Sequence, residues 1–451
     1  MPDRRPRRGG RDSPAAGPKD PARTAAYAVI RAVHSEDAYT NLALPAVLAR
    51  YGLSGRDAAF VTELAAGTIR RRGTYDAILA ACLDRPLTRV DPPVLDALRL
   101  GAHQLLSMRV PAHAAVGTTV DLVRAEVHRG AAGFANAVLR KVAAADLDAW
   151  IARVAPNPEA DPLGHAEVRY AHPRWVVEQL AAALAADGRP DDLDALLAAD
   201  NEPAKVTMVA RPGLCELDEL TRAGAVPTGR SPYAAVLPAG DPGAIAAVRE
   251  GRAGVQDEGS QLAALALADA PLDGPDDRWL DMCAGPGGKA ALLGALAAGR
   301  GAHLVANELQ EHRATLVRRA VRRLEGSVTV QTGDATAPAW GSGTFDRVLL
   351  DAPCTGLGAL RRRAEARWRR TPEDLATLVD LQRRLLGVAA ASVRPGGVVG
   401  YVTCSPVLAE TREIVDAALA AQPDLSLEHV EQLWPHVDGT DAMFVALLRR
   451  S

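Results

Sequence analysis

Two cysteines stand at the ends of apolar runs that are typical of β-strands. GGVVGYVTCSP (396–406) contains Cys404, and DRVLLDAPC (346–354) contains Asp351 and Cys354. A thiolate is a strong nucleophile, and a carboxylate beside it can hold a base or exchange a proton. If the two runs are neighbouring strands, their tips lie roughly 5 Å apart and the three side chains share one pocket. Either cysteine alone is usually buried and inert, but the pair beside an acid favours covalent catalysis.

A turn of small residues follows another strand-like run. DMCAGPGGK (281–289) precedes the helix-like segment KAALLGALAA. Small side chains let a ligand approach the backbone, and the start of a helix presents free N–H groups. The spacing is neither G-x-G-x-x-G nor a Walker loop. By itself the turn is a weak indication of a nucleotide-like ligand, because many nucleotide-binding folds have one.

Acidic residues end the next two strand-like runs. Glu308 ends AHLVANE, where a carboxylate can accept both ribose hydroxyls of an adenosine. The alternative for Glu308 is an acid that stabilises the start of a helix. Asp334 follows VTVQTG and could bond an adenine amino group, although alone it is typical of an ordinary turn.

A basic run, RRRAEARWRR, lies between the two cysteines. Arginine with an interleaved tryptophan suits a phosphate backbone and a stacked base, and a solvated helix face rarely includes tryptophan. We therefore expect this run to contact RNA. The predicted RNA-binding residues are Arg361, Arg362, Arg367, Trp368 and Arg370.

The elements that must position these residues change in character along the chain. From residue 21 to 145 apolar residues recur at helical spacing without any alternating run, which predicts an all-helical domain. From about residue 255 short apolar runs alternate with helical segments, which predicts a mostly parallel sheet covered on both faces. Ligands of such sheets bind beyond the carboxyl ends of the strands, and every motif above falls there.

Composition narrows the class of protein further. The net charge of −3 over 451 residues does not by itself indicate a nucleic-acid partner. Five scattered cysteines without a C-x-x-C pair argue against a disulfide scaffold or a metal site, and for the reducing cytoplasm. No stretch approaches the roughly 18 uninterrupted apolar residues of a membrane helix.

We expect five segments. They are a disordered basic tail (1–20), a helical domain (21–145), a linker that gathers Pro and Asp (146–165), a small connecting α+β subdomain (166–250) and the catalytic domain (251–451). The tail has too few apolar residues to offset the entropy of ordering.

Taken together, the motifs resemble those of the bacterial RNA cytosine-C5 methyltransferases. The resemblance rests on VQDEGSQLAA, DMCAGPGGK, Glu308, Asp334, DAPC-T-G-x-G followed by RR, and TCS. The helical block also resembles the NusB-type RNA-binding domain, in RDAAFVTEL, AHAAV and FANAVLRKV. That pairing is similar to the branch called Sun or RsmB, which acts on 16S ribosomal RNA. Four local departures are Gly285 where Ala is commoner, Ala364-Glu365 for Pro-Asp, AETRE without Glu-Asn-Glu, and DAMF for a common Asp-Gly-Phe-Phe.

The resemblance implies an all-α NusB-like domain followed by an α/β Rossmann-like class I methyltransferase domain. It implies a nucleophile at Cys404, a product-release role for Cys354, and contact of Asp351 with the base. It assigns S-adenosyl-L-methionine to Cys283, Ala284, Gly285, Pro286, Gly287, Gly288, Lys289, Glu308, Asp334 and Asp351. The implied reaction is C5 methylation of cytosine 967 of 16S rRNA, as free RNA or within a small-subunit assembly intermediate.

Three alternatives remain open on the sequence. The same chemistry could act on tRNA or 23S rRNA. The glycine-rich turn could belong to a Rossmann-like dehydrogenase, although its proline argues against that. The chain could also be a non-catalytic NusB-like RNA-binding or antitermination factor, although such a protein would not need the two cysteines.

Overall fold

The computed structural model describes residues 20–36 and 38–451. The predicted basic tail, apart from its last residue, lies outside the described residues. The chain divides into two compact units, Met1–Ala155 and Pro156–Ser451.

The first unit is helical, as predicted. Asp20 caps the first helix by accepting the N–H of Arg23. The buried Ala26, Ile30 and Val33 lie on one face of that helix, at the i, i+4, i+7 spacing of an amphipathic helix. The helices are α1 (Pro21–Ser35), α2 (Thr40–Tyr51), α3 (Gly55–Arg70), α4 (Arg72–Cys82), α5 (Pro92–Leu106), α6 (Ala112–Leu122), α7 (Ala131–Val142) and α8 (Leu147–Val154).

The segment 146–165, predicted as a linker, contains α8 and the start of the next helix. Asp146 caps α8 by accepting the N–H of Ala149, and Trp150 and Ile151 are buried. Because these helices are only eight and nine residues long, the prolines near them hide their periodicity in the sequence.

The second unit opens with helices and a small antiparallel sheet of order β2-β3-β1-β4. Its last strand pairs with β1 and lies beyond residue 250, so this sheet extends past the predicted subdomain boundary. The elements are α9 (Pro162–Tyr170), α10 (Arg174–Ala186), α11 (Leu193–Ala199), β1 (Val206–Ala210), α12 (Leu217–Arg222), β2 (Val226–Pro227), β3 (Ala234–Leu237), α13 (Ala246–Glu250) and β4 (Ala253–Val255).

A seven-stranded sheet of order β10-β11-β9-β8-β5-β6-β7 forms the rest of the second unit. Its strands from β5 to β9 are parallel, and β10 and β11 are antiparallel additions at one edge. The strands are β5 (Arg278–Asp281), β6 (His303–Glu308), β7 (Val328–Thr332), β8 (Phe345–Asp351), β9 (Val393–Thr403), β10 (Leu425–Gln432) and β11 (Phe444–Arg450). The helices are α14 (Glu258–Asp269), α15 (Gly288–Gly299), α16 (Glu311–Ala320), α17 (Ala366–Arg369), α18 (Pro372–Ser392), α19 (Arg412–Ala421) and α20 (Pro435–Asp438).

Both faces of the large sheet are buried, as expected for parallel strands. In β8, Leu349 packs in the core that includes α14 and α15, while Val348 and Leu350 pack in the core that includes α18. This alternation follows from the two-residue repeat of a strand, and each such side chain contributes about 1.5–3 kcal/mol. The two cores fix the strand ends that carry the motifs.

Two kinds of feature are absent from the described ranges. No helix between residues 20 and 451, residue 37 aside, is long and apolar enough to cross a membrane. The same residues contain no group of three or more His, Cys, Asp or Glu side chains that could hold a metal ion.

Candidate active site

The two cysteines meet at the ends of β8 and β9. These strands are hydrogen-bonded neighbours, with Asp351 opposite Val402. The Sγ atoms of Cys354 and Cys404 are 3.5 Å apart, and both cysteines are free thiols. The adjacency of the two strands, on which the sequence argument depended, is therefore present.

Backbone bonds hold the Cys404 turn in place. The N–H of Gly358 donates to the carbonyl of Cys404 at 2.9 Å, and the carbonyl of Gly358 accepts from the N–H of Ala442 at 2.8 Å. A Cβ at position 358 would collide with the Ala442 carbonyl oxygen. A glycine is thus needed where the loop after Cys354 crosses the loop before β11.

A buried carboxylate, Glu410, joins the two cysteine-bearing loops. Its Oε1 accepts the N–H of Thr355 at 2.7 Å, and its Oε2 accepts the Ser405 hydroxyl at 2.6 Å. Gln382 donates to Oε1 at 3.1 Å and to the Pro353 carbonyl at 2.8 Å. Thr355 and Ser405 directly follow the two cysteines, so Glu410 fixes the distance between the thiols.

Sequence reasoning missed Glu410. The sequence signal was an acid six residues after Cys404, in the segment AETRE that was noted only as a departure from Glu-Asn-Glu. Its partners come from three separate parts of the chain, which no local pattern reveals.

Replacing Glu410 by Ala is expected to destabilise the protein by about 3 kcal/mol and to slow the chemistry of the cysteine pair. Removal leaves buried donors of Thr355, Ser405 and Gln382 without an acceptor, at roughly 1–3 kcal/mol each before relaxation. Urea unfolding and single-turnover assays measure the two effects. Glu413→Ala, an exposed acid on α19, is the matched control. Wild-type stability and rate in Glu410→Ala would show that Glu410 does not hold the loops.

The two thiols differ in their ionisation. A hydrogen bond from the Cys354 thiol lowers the pKa of Cys404, against burial and the charge of Asp351. The positive charges of Arg363 and Lys289 act in the same lowering direction. The shared hydrogen bond and burial raise the pKa of Cys354 well above its usual range. Cys404 is therefore the thiol of the pair that ionises more readily, and Cys354 is the one suited to donate to it.

A buried ion pair connects the small-residue turn to the tip of β8. Lys289 Nζ lies 2.9 Å from Asp351 Oδ2. Burial is the largest influence and opposes the charge of Lys289, but the Asp351 carboxylate, together with Cys404 and Asp281, leaves the pKa of the lysine raised. A fixed positive charge thus stands between the turn and the Cys404 thiolate.

The turn between β5 and α15 is shaped by two glycines. The N–H of Gly285 donates to Glu308 Oε2 at 3.0 Å, and a Cβ at position 285 would collide with that carboxylate. Gly287 has φ +112°, and a Cβ there would lie 2.7 Å from that of Ala320. Gly285, at a position where the family more commonly has Ala, therefore leaves room for the carboxylate of Glu308.

Asn307 ties the ends of three strands together. Its side-chain amide donates to the backbone carbonyls of Met282 and Gly333, each at 3.1 Å. Its backbone carbonyl accepts the N–H of Ala284 at 2.8 Å. The turn after β5, the end of β6 and the loop after β7 therefore form one rim. Asp334 lies exposed on that rim and accepts the N–H of Thr336 at 2.8 Å.

Cys283, the third cysteine of the motifs, is not a second nucleophile. Burial, followed by the charges of Asp281 and Asp351, raises the pKa of its thiol. At neutral pH Cys283 is therefore a neutral thiol in the turn.

A second carboxyl that sequence reasoning did not single out lies beneath this rim. Both oxygens of Asp281 are buried and have no hydrogen-bond partner among the described residues. Burial and then the charge of Asp351 raise the pKa of Asp281 to about 8. The nearby Cys283 amide acts the other way without making a hydrogen bond of normal geometry. Such an orphaned acid fits a cationic ligand or a ligand that brings donors.

Two arginines of the basic run are engaged inside the protein. Arg361 Nη2 donates to the carbonyl of Gly439 at 2.9 Å, and Arg362 Nε donates to Asp441 at 3.0 Å. Arg362 also forms an ion pair with Asp257. Their charges are matched by buried carboxylates, so they brace the loop after Cys354.

The prediction of RNA contact is corrected for Arg367. This residue is fully buried, and its guanidinium donates to Asn201 Oδ1 at 2.9 Å and to the carbonyl of Asp200 at 3.1 Å. It fastens α17 to the helices at the start of the second unit. Trp368 and Arg370 are partly exposed, and Arg370 Nε donates to the Thr355 carbonyl at 3.2 Å.

The strand order β7-β6-β5-β8-β9 is the 3-2-1-4-5 arrangement of a Rossmann-type sheet, whose ligands bind where the order reverses. Asp281 and Asp351 end the two strands at that reversal. The fold and this crevice define a Rossmann-like methyltransferase. The family model of 16S rRNA methyltransferase RsmB/F matches residues 270–449, and the NusB family model matches residues 20–144.

This chain belongs to the RsmB/F family of RNA methyltransferases, and a NusB domain precedes its catalytic domain. A methyltransferase of Mycobacterium tuberculosis is 52% identical over 450 residues, covering 96% of this chain and 97% of the relative. The ribosomal RNA small subunit methyltransferase B of Pseudomonas putida is 34% identical, covering 94% and 98%. The predicted family, fold class and enzyme class are confirmed.

Solved structures agree on the fold. The crystal structure of PH0851 superposes with a TM-score of 0.77 at 23% identity, covering 95% of this chain and 98% of that one. NSun6 from Pyrococcus horikoshii superposes with a TM-score of 0.53 at 18% identity, covering 62% and 98%. At these identities the likeness speaks for the fold alone.

Proposed function

We propose that this protein methylates C5 of a cytosine in 16S rRNA, using S-adenosyl-L-methionine and a covalent bond from Cys404 to C6 of the base. The observation that carries the proposal is the thiol pair, in which Cys354 donates to Cys404 over 3.5 Å and lowers its pKa. A base-binding acid, Asp351, lies at the end of the neighbouring strand.

Support for the methyl donor comes from the crevice at the end of β5. S-adenosyl-L-methionine supplies an electrophilic methyl group on a positively charged sulfur. The orphaned Asp281 carboxyl suits a cationic ligand, and the bare backbone of Gly285 allows close approach. Glu308 would accept the ribose hydroxyls, and Asp334 would meet the adenine amino group.

The proposed chemistry begins at Cys404. Cytosine C5 is a poor nucleophile, but addition of the Cys404 thiolate to C6 breaks the ring conjugation and makes C5 enamine-like. Asp351, oriented by Lys289, holds the base near N3 and exchanges its proton there. C5 then accepts the methyl group, and the donor sulfur keeps the electron pair of the broken S–CH3 bond as a neutral thioether. A base from solvent takes the C5 proton, N3 returns its proton to Asp351, and cleavage of the C6–S bond returns the thiolate and releases 5-methylcytosine, with the Cys354 thiol assisting release.

The choice of 16S rRNA over tRNA or 23S rRNA rests on the NusB domain and on relatives. The Pseudomonas putida relative, aligned over nearly its whole length, is named for the small ribosomal subunit. The target we propose is cytosine 967, met as free 16S rRNA or in a small-subunit assembly intermediate in the cytoplasm. The base must leave its stack to reach a pocket at strand ends.

Bisulfite sequencing of rRNA from a deletion strain tests the substrate. We expect 5-methylcytosine at position 967 of 16S rRNA to disappear, to return with the wild-type gene, and not to return with Cys404→Ser. An unchanged 16S rRNA with a lost methyl group on tRNA or 23S rRNA would contradict the choice of substrate and keep the chemistry.

A further inference from the structure

Arg363 differs from the other arginines of the basic run. Its side chain is exposed, and within the described ranges its guanidinium makes no hydrogen bond or ion pair. By contrast, Arg361 bonds to the Gly439 carbonyl, Arg362 bonds to the buried Asp441, and Arg367 is itself buried. Most of the charges in the run are therefore engaged within the protein, whereas the guanidinium of Arg363 is available to a ligand.

The position of Arg363 is fixed although its side chain is not engaged. Its backbone N–H donates to the Ala359 carbonyl at 3.0 Å, and its carbonyl accepts from Ala366 at 2.9 Å. Five residues earlier, Gly358 donates to the carbonyl of Cys404. The charge of Arg363 also acts on the Cys404 thiol. A cation with no partner among the described residues thus stands on an ordered turn of the loop that is hydrogen-bonded to the Cys404 turn.

We propose, on the basis of the function proposed above, that Arg363 binds a phosphate of the RNA strand next to the target cytidine. A base that enters a pocket from its stack brings its flanking phosphates to the pocket opening. The planar guanidinium matches a phosphate with two parallel hydrogen bonds. Arg361, Arg362 and Arg367 could bind a phosphate in this way only by breaking the bonds to their carboxylate and carbonyl partners.

The test uses the full-length protein, 16S rRNA transcribed in vitro and single-turnover methyl transfer at several salt concentrations. The pH is set above the Cys404 titration seen in the wild-type pH–rate profile. The variants are Arg363→Ala and Arg363→Lys. The control is Arg222→Ala, a highly exposed arginine on α12.

Arg363→Ala is expected to raise the half-saturating RNA concentration about tenfold, the usual scale for a charged hydrogen bond. It should also reduce the slope of log affinity against log salt by about one, because one fewer phosphate is neutralised. Arg363→Lys should keep the slope, and Arg222→Ala should match the wild type.

Unchanged half-saturation and salt slope in Arg363→Ala would overturn the inference and leave the proposed function intact. A change confined to the maximal rate would also overturn it, since Arg363 would then act only on the Cys404 thiol. If the wild-type protein itself transfers no methyl group to 16S rRNA, the proposed function fails and the inference fails with it.

Discussion

Cys404→Ser is expected to abolish methyl transfer, by a factor on the order of 10⁴ or more, while binding of S-adenosyl-L-methionine stays within about twofold of wild type. A serine hydroxyl has nearly the size of the thiol but does not ionise near neutral pH, so it cannot add to C6. The donor crevice at β5 and β6 does not depend on this sulfur. Radiolabelled methyl transfer and equilibrium binding of the donor measure the two effects.

The control for this variant is Cys215→Ser. Cys215 is a buried cysteine of the small antiparallel sheet's core, and burial raises the pKa of its thiol to about 11. It should therefore keep full transfer activity per folded molecule. Turnover retained in Cys404→Ser would remove Cys404 as nucleophile.

Cys354→Ala is expected to trap a protein–RNA adduct that survives a denaturing gel. Addition through Cys404 can still occur, but the thiol that assists release of the product is missing. The variant also loses the hydrogen bond that contributes most to the lowered pKa of Cys404. Adduct formation should therefore need a higher pH than wild-type turnover, and the yield of adduct against pH measures this shift.

Two companion variants make the second prediction specific. Cys354→Ala combined with Cys404→Ser should form no adduct, because the bond is made by Cys404. Cys283→Ser combined with Cys354→Ala should still form it, since Cys283 is a neutral, partly buried thiol. An adduct in the first double variant, or none in Cys354→Ala at any pH, would refute the assigned roles.

Most strands of the large sheet could be predicted because each of them contains a short apolar run that is visible in the local sequence. β8 has a central run of apolar residues, Val348, Leu349 and Leu350, because both faces of the strand are buried, and β9 is apolar in the same way near its end. β10 could not be predicted, because most of LSLEHVEQ is exposed and polar. As an edge strand it is specified by pairing with β11, which its own composition does not encode.

The candidate site could be predicted where the role of a residue follows from its type. It could not be predicted where that role depends on a hydrogen-bond or ion-pair partner far away in the sequence. Two cysteines at strand ends were expected to lie together, and their Sγ atoms are 3.5 Å apart. Residue type suggested RNA contact for Arg362. In the structure Arg362 instead pairs with the carboxylate of Asp441, which lies 79 residues away in sequence. Glu410 gave no local signal, because its role is defined by hydrogen bonds across 55 residues to Thr355.

The most direct measurement is peptide mass spectrometry of the wild-type protein after reaction with 16S rRNA that contains 5-fluorocytosine and with S-adenosyl-L-methionine. Fluorine at C5 cannot leave as a cation, so the C6–S bond persists once the methyl group has been transferred. The account predicts a methylated fluoropyrimidine nucleotide on the peptide that contains Cys404, and none on peptides that contain Cys354 or Cys283. The nucleotide on Cys354, or methyl transfer without any protein-bound nucleotide, would contradict it.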